Sequence, residues 1–315
     1  MQKVLITDYG FNNVSQEREI ITAAGFLLET AQCKTAEDVL QYGAGAVALL
    51  VQWAPVTAEV MDGLPQCRLI VRYGIGVDNI DLEAAKKRGI VVCNVPDYCI
   101  AEVADHTVAL ALALARQLTT THQRTISGEW KIIPPQPALP FYEMSFATIG
   151  FGRIAREVLK RVVALGFKKM AFDPFVPAEM MLAQGVQHAG FDEVIETADI
   201  ISLHSPLTPQ THHLINATVL NRLKKGAILV NTSRGGLIDT EALAVRLQQG
   251  GMAAGLDVFE QEPLPATHPL RNCDNVILSS HTAWYSERSV PTLQRMAAEE
   301  LVRGLIGGVV NNRVV

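Results

Sequence analysis

Short runs of apolar, β-branched residues alternate with helix-period segments along almost the whole chain, and this alternation restricts the fold more than any other feature. Residues 3–8 (KVLITD), 46–51 (AVALLV), 69–71 (LIV) and 90–93 (IVVC) have the length and branching of buried strands. Segments such as 15–24 and 81–88 between them carry helical spacing and stop at Gly25 and Gly89, the residue type that closes a helix in a left-handed turn. Repeated strand–helix–strand units predict the α/β class, with parallel sheets covered by helices on both faces.

The pattern breaks at Asn94-Val95-Pro96-Asp97 and resumes with a long Ala- and Leu-rich helix, roughly Ile100 to Gln117, suited to connecting two domains. Pro134, Pro135, Pro137 and Pro140 make 131–146 a loop. A second series starts at Phe146, with strands expected at 146–149, 168–172, 199–203, 227–230, 253–258 and 275–279. Helices are expected at 153–165, 216–223 and 239–249. The tail from Ser286 to Val315 begins as an amphipathic helix without a partner strand and is expected to pack on the first domain. The expected domains are therefore 1–97 with 286–315, discontinuous, and 98–285.

Composition narrows the function. The 315 residues are 49% hydrophobic and 19% charged, with net charge −5 and no basic run, which argues against nucleic acid or an anionic membrane as partner. No helical apolar stretch approaches the roughly 20 residues that span a bilayer. The opening MQKVLITDYG alternates like a first strand rather than a signal peptide. Five scattered cysteines without a CxxC pair predict reduced thiols and a cytoplasmic protein.

Strand 146–149 runs into Gly150-Phe151-Gly152-Arg153-Ile154-Ala155 and then a helix, the setting a dinucleotide fingerprint requires. The first Gly makes the tight turn, the second admits the pyrophosphate to the backbone, and Ala155 lets helix and strand pack closely. The helix start at Arg153 and Ile154 offers unpaired N–H groups and a positive dipole end to the anion. The next strand ends at Asp173, 21 residues beyond Gly152, where a carboxylate can accept the ribose hydroxyls. No Arg follows it, so NAD rather than NADP is the expected cofactor.

Three later strands end in a charged or titratable residue: Arg234, Glu262 before Pro263, and His281. Ligands of doubly wound sheets sit outside the carboxyl ends of the strands. Arg can fork onto a carboxylate and polarise a carbonyl, and His can pass the proton that accompanies a hydride. A carboxylate beside an imidazole orients the ring and favours its protonated form. Singly, Arg234 reads equally as a surface cation, Glu262 as a turn residue and His281 as a capping residue; the conjunction makes the case. The adjacent pair His212-His213 raises the question of a metal, but neighbouring histidines seldom chelate one ion, and no metal is expected.

Taken together, Gly150-Phe151-Gly152, Asn231 to Gly236, Gly255 to Pro263 and His281 resemble the ordered signatures of the D-isomer-specific 2-hydroxyacid dehydrogenases, over roughly residues 69–290. The resemblance implies two Rossmann-like parallel-sheet domains, a flavodoxin-like outer one and an NAD-binding inner one, with a cleft between them. It implies Arg234, Glu262 and His281 as the catalytic set, and a homodimer. Residues 71–79 and 281–287 are closer to the C-terminal binding protein branch, which adds an NADH-sensing scaffold as an alternative function; a D-3-phosphoglycerate dehydrogenase, with the same mechanism on a phosphorylated acid, is a further alternative. By the same resemblance, backbone amides of Tyr73, Gly74, Ile75 and Gly76 hold the substrate carboxylate, and Arg72 and Trp284 line the pocket. Asp257 contacts the nicotinamide carboxamide, while Thr107, His204, Pro206, Thr232 and Ser233 line the cofactor site. The stretch Glu143-Met144-Ser145 departs from the family's usual Gly-Lys-Thr turn before the cofactor strand.

Overall fold

The continuous apolar runs become the central strands of two parallel sheets. A computed structural model describes residues 1–315, which divide into one unit of Met1–Cys99 with Tyr285–Val315 and another of Ile100–Trp284. The first unit runs β1 (Lys3–Ile6), α1 (Ser15–Ala23), β2 (Leu27–Thr30), α2 (Ala36–Gly43), β3 (Ala46–Val51), α3 (Ala58–Gly63), β4 (Leu69–Arg72), α4 (Leu82–Arg88) and β5 (Val91–Cys93). Its five strands are all parallel in the order β2-β1-β3-β4-β5, the flavodoxin-like arrangement. Every residue of β3 is buried, as a central strand covered on both faces requires. Local chemistry sets the helix ends: Asp81 caps α4 by accepting from the Ala84 amide, and Gly89 closes it in the left-handed region.

The second unit continues with α5 (Ile100–Ala115), α6 (Leu118–Ile126), β6 (Ser145–Ile149), α7 (Arg153–Val163), β7 (Lys168–Phe172), α8 (Ala178–Leu182), β8 (Gln187–His188), α9 (Phe191–Thr197), β9 (Ile200–Leu203), α10 (Ala217–Arg222), β10 (Ala227–Asn231), α11 (Thr240–Gln248), β11 (Met252–Leu256) and β12 (Val276–Leu278). The sheet order is β12-β11-β10-β9-β6-β7-β8, all parallel. Strand order reverses between β6 and β9, so the loop after β6 opens at the switch point where such sheets bind ligands. One core, around Leu203, Leu229 and Leu243, fills one face of this sheet. A second, around Phe146, Val158 and Val230, lies under α5 and α7.

The chain re-enters the first unit with α12 (Ser289–Leu305), which packs on α1, β3 and β4. The tail differs from the sequence expectation in one respect. Residues 312–315 lie along the β5 edge, where Val314 N–H donates to Val92 O at 2.7 Å and Cys93 forms an antiparallel bridge with Arg313. The long helix is also shorter than expected. Gln117 adopts a left-handed conformation (φ 52°) that separates α5 from α6.

Candidate active site

The glycine loop is shaped by the neighbouring strand end. Gly150 has φ 102°, and a Cβ there would stand 2.6 Å from the His204 carbonyl oxygen, so only glycine fits. Gly152 caps α7 with nothing within 4 Å of its Cβ position, leaving the helix N-terminus open to an anion. Arg153 is exposed there and Ile154 half-buried. Asp173, at the end of β7, accepts the Phe151 amide on Oδ2 at 2.8 Å and the Phe175 amide on Oδ1 at 2.9 Å. An open helix terminus beside a fixed carboxylate suits a dinucleotide and opposes a 2′-phosphate.

Around that loop, His204 meets Ser202 Oγ at 2.9 Å, and desolvation pushes its pKa down to about 4, so the ring is neutral at physiological pH. Pro206 is exposed, and Ser233 donates from Oγ to Ser205 O at 2.9 Å. Thr107 is enclosed at 0% exposure, its hydroxyl between Val103 O and the Thr232 hydroxyl, both at 2.7 Å. Thr107 is thus joined to the cofactor-loop candidate Thr232, which is itself buried.

Segments following three strands of the same sheet carry Arg234, Glu262 and His281, the candidate acid–base set. His281 follows β12 in a left-handed conformation (φ 56°), unusual for a residue with a Cβ. Its N–H donates to Asp257 O at 2.8 Å, and its carbonyl accepts Trp284 Nε1 at 2.8 Å. The ring Nδ1 lies 2.7 Å from Glu262 Oε2, while Glu262 Oε1 accepts the Phe259 amide at 2.9 Å. Desolvation works against the Glu262 charge, but His281 and the Phe259 amide outweigh it and hold the carboxyl below its usual range. With Nδ1 engaged, Nε2 is the ring nitrogen that can meet a reacting group.

Arg234 follows β10, half-buried, with Nη1 on Ser233 O at 2.8 Å and its own carbonyl held by Asn231 Nδ2 at 2.8 Å. The next residue, Gly235, packs so closely on the Phe259–Glu260 peptide that a Cβ would stand 1.9 Å from Phe259 C. Glu260 has another task than Glu262: it pairs with His213 Nε2 at 2.5 Å and accepts the Thr240 amide at 2.8 Å.

Asp257 is 1% exposed and its carboxylate holds the turn that carries His281. Oδ1 accepts Ser279 Oγ at 2.6 Å and the Thr282 amide at 2.9 Å, and Oδ2 accepts the Ala283 amide at 2.9 Å. This wrapping escaped the sequence reading because its partners lie 22 to 26 residues further along. His106, which meets Ser279 Oγ at 3.0 Å, was missed for the same reason.

In the first unit the run Tyr73 to Gly76 divides. The Tyr73 amide donates to Val51 O at 2.8 Å and the Gly74 amide to Arg72 O at 3.0 Å, so these two of the four amides are engaged within the chain. The Tyr73 ring is no pocket wall: it is 1% exposed, donates its hydroxyl to the buried Glu17 at 2.9 Å and packs edge-on against Phe11. Arg72 folds back over the loop, with Nη1 in the space a Cβ on Gly74 would need. Asp8, after β1, accepts the amides of Gln52, Trp53 and Ala54, and Trp53 stands 54% exposed beyond β3. Both lie at strand carboxyl ends.

His212, His213 and Glu260 bring ligand atoms within 4.8 Å of one another. The two rings, however, stack at 3.9 Å between centroids and 23° between planes. A metal lies in the plane of each imidazole at about 2 Å from nitrogen, and stacked planes share no such point.

Comparison with known proteins identifies the family. The model of the family described as D-isomer specific 2-hydroxyacid dehydrogenase, NAD binding domain, matches residues 108–283. A glyoxylate reductase of Korarchaeum cryptofilum is 38% identical over 269 residues, 83% of this chain and 81% of that protein. A D-3-phosphoglycerate dehydrogenase of Methanocaldococcus jannaschii is 37% identical over a 317-residue alignment that takes in this whole chain but 59% of the relative. Among solved structures, the TT0316 protein of Thermus thermophilus superposes with TM-score 0.86 at 34% identity, covering 99% of this chain and all of that one. The D-lactate dehydrogenase of Aquifex aeolicus, complexed with NAD and lactic acid, superposes at 0.90 with 28% identity over 99% of each chain. A doubly wound sheet with a dinucleotide loop at its switch point, and relatives of this extent, lead to one conclusion: the chain belongs to the D-isomer specific 2-hydroxyacid dehydrogenase family and is an NAD-binding oxidoreductase acting on a CH–OH group.

Proposed function

We propose that the protein interconverts a small D-2-hydroxy acid and its 2-oxo acid, with His281 as acid–base group, Glu262 as its orienting partner and Arg234 as the cation that binds carboxylate and carbonyl. The observation that carries this is the 2.7 Å contact between His281 Nδ1 and Glu262 Oε2, which turns Nε2 outward as the proton-transferring atom. Bound NADH supplies the hydride for the carbonyl carbon. In reduction, His281 gives a proton from Nε2 to the carbonyl oxygen, and Glu262 stabilises the ring's charged form. In oxidation His281 takes the hydroxyl proton back. Arg234 offers its guanidinium to the substrate oxygens, and the Ile75 and Gly76 amides are the donors proposed for the substrate carboxylate. Asp173 receives the adenosine ribose and the α7 N-terminus the pyrophosphate.

Glyoxylate, hydroxypyruvate and bulkier 2-oxo acids are the candidate substrates, the 38% identity to a glyoxylate reductase favouring the small ones. A phosphorylated acid is the second reading, favoured by the 37% identity to a D-3-phosphoglycerate dehydrogenase and by Arg72. The test is NADH oxidation against a panel from glyoxylate to aromatic and phosphorylated 2-oxo acids. His281→Ala is expected to lose at least about 100-fold in kcat while still binding NADH. Near-normal turnover in that variant removes His281 from the acid role.

We also infer a homodimer in the cytoplasm. α6 buries none of its residues, and it is followed by Trp130, Ile132 and Ile133 at 85%, 91% and 77% exposure, an apolar face suited to a second copy. No helix is long and apolar enough to cross a membrane. All five cysteines are free, four of them buried, with no disulfide among them, as expected of a protein kept in a reducing compartment.

A further inference from the structure

A chain of three side chains runs behind His281 to the middle of α5. His106 Nε2 lies 3.0 Å from Ser279 Oγ, Ser279 Oγ donates to Asp257 Oδ1 at 2.6 Å, and the Asp257 carboxylate receives the amides of Thr282 and Ala283. A serine hydroxyl has one proton. Since Ser279 gives it to the carboxylate, its oxygen is the acceptor and His106 Nε2–H the donor. The tautomer of His106 is thereby fixed, and the chain has one direction, from helix to carboxylate to the turn that carries His281.

That turn needs support. The His281 backbone sits at φ 56°, a conformation a side chain with a Cβ rarely adopts, held by its N–H on Asp257 O and by the two amides that follow it on the Asp257 carboxylate. Only 1% of Asp257 is exposed, so its orientation is set by protein groups rather than water. Thr107, the next residue on α5, performs the corresponding task for the other strand end. Its hydroxyl meets Thr232 Oγ1 at 2.7 Å, two residues before Arg234. The helix is a firm reference for both: it approaches β11 so closely that a Cβ on Gly255 would stand 3.0 Å from Leu110 Cβ.

We propose that His106 is a positioning residue for the acid–base site, holding the turn of His281 through Ser279 and the Asp257 carboxylate. It touches neither reacting atom; it removes a rotation that Asp257 and the turn would otherwise share. The inference rests on the proposed role of His281, and an acid that transfers its proton over one hydrogen bond is sensitive to displacement, with about 1 Å costing on the order of 100-fold.

The test uses the full chain with NADH and its best 2-oxo acid. His106→Ala is expected to lower kcat roughly 10-fold, with substrate KM and NADH affinity by fluorescence within about twofold of the parent. His106→Gln, whose amide nitrogen can stand near the imidazole Nε2 and donate to Ser279, is expected to recover most of that loss. Combining His106→Ala with Ser279→Ala should reduce kcat no further than Ser279→Ala alone, because both cut one chain. If the Ala variant does not fold, His106→Asn, too short to reach Ser279, takes its place. Unchanged kcat in His106→Ala, equal losses for Ala and Gln, multiplicative losses in the double variant, or a selective loss of NADH affinity would each overturn the proposal. His281→Asn is run beside them. If that variant keeps its turnover, the assignment of His281 fails; if it is inactive while His106→Ala behaves as the parent, only the positioning role fails.

Discussion

Gly235→Ala places one methyl group where the structure has backbone. The new Cβ would stand 1.9 Å from Phe259 C, 2.1 Å from Phe259 O and 2.4 Å from Glu260 N, atoms of a peptide that cannot swing aside as a side chain can. Reaching about 3.4 Å, the start of ordinary contact, demands a relative displacement of about 1.5 Å between the Arg234–Gly235 segment and the segment leading to Glu262. Arg234 and Glu262 lie one and three residues from the clash, so little chain is available to absorb it. A misplacement of about 1 Å costs on the order of 100-fold in rate, and kcat/KM for the 2-oxo acid is expected to fall at least that far. Overpacking of this kind also costs about 1–3 kcal/mol of stability, visible as a lower melting temperature. The control is Gly236→Ala, whose Cβ would meet Leu207 methyls at 3.1 and 3.2 Å, groups that can turn away. Steady-state assays of both variants, with circular dichroism to show they fold, are decisive. A folded Gly235→Ala enzyme with parental kcat/KM would refute the claim that the two loops are held in contact across this glycine.

Asp173→Asn is expected to raise the KM for NADH roughly 10-fold and to narrow the preference over NADPH, measured as the ratio of kcat/KM values; an unchanged ratio would remove Asp173 from cofactor selection. Asp199 is buried, and desolvation opposes its charge, but Lys224 at 2.5 Å and Ser145 offset this and hold its carboxyl below the ordinary 3.8. A depressed native value contributes stability that is present above 3.8 and lost as pH falls through that lower value. Asp199→Ala should therefore unfold about 2 kcal/mol more easily at pH 6, by urea denaturation, with the deficit shrinking only below pH 3.8. Replacing Trp130 and Ile132 together by Asp should convert two-chain particles to single chains in light scattering, with the melting profile of the second unit retained.

What could be read in advance was whatever the local chain determines. β3 and β10 are buried along their whole length and so appear as unbroken apolar runs. β2 shows only Leu28 buried, and β8 is two exposed residues, so neither leaves a pattern to detect. α6 follows α5 after a left-handed Gln117, a break that no glycine or proline announces. At the site, strand ends pointed to Arg234, Glu262 and His281 because topology alone brings such ends to one edge. The Tyr73 amide was expected to meet a substrate carboxylate; its engagement by Val51 O depends on pairing with β3, 22 residues earlier. His106 meets Ser279 across 173 residues, a distance at which no local pattern operates.

The buried carboxylate of Glu17 joins Tyr73 Oη and Gln294 Nε2, the latter at 3.0 Å, so one polar cluster draws on α1, the end of β4 and α12. This has a consequence for biosynthesis. As the chain leaves the ribosome, the first five strands emerge with Glu17 and Tyr73 but without the amide that completes their cluster, and with the sheet face under α12 uncovered. The dinucleotide unit, continuous from Ile100 to Trp284, can close its cores before α12 has been translated. The half of the protein made first is therefore finished last, and truncations within α12 should yield a chain whose nucleotide-binding half is protected from protease while its N-terminal half is digested.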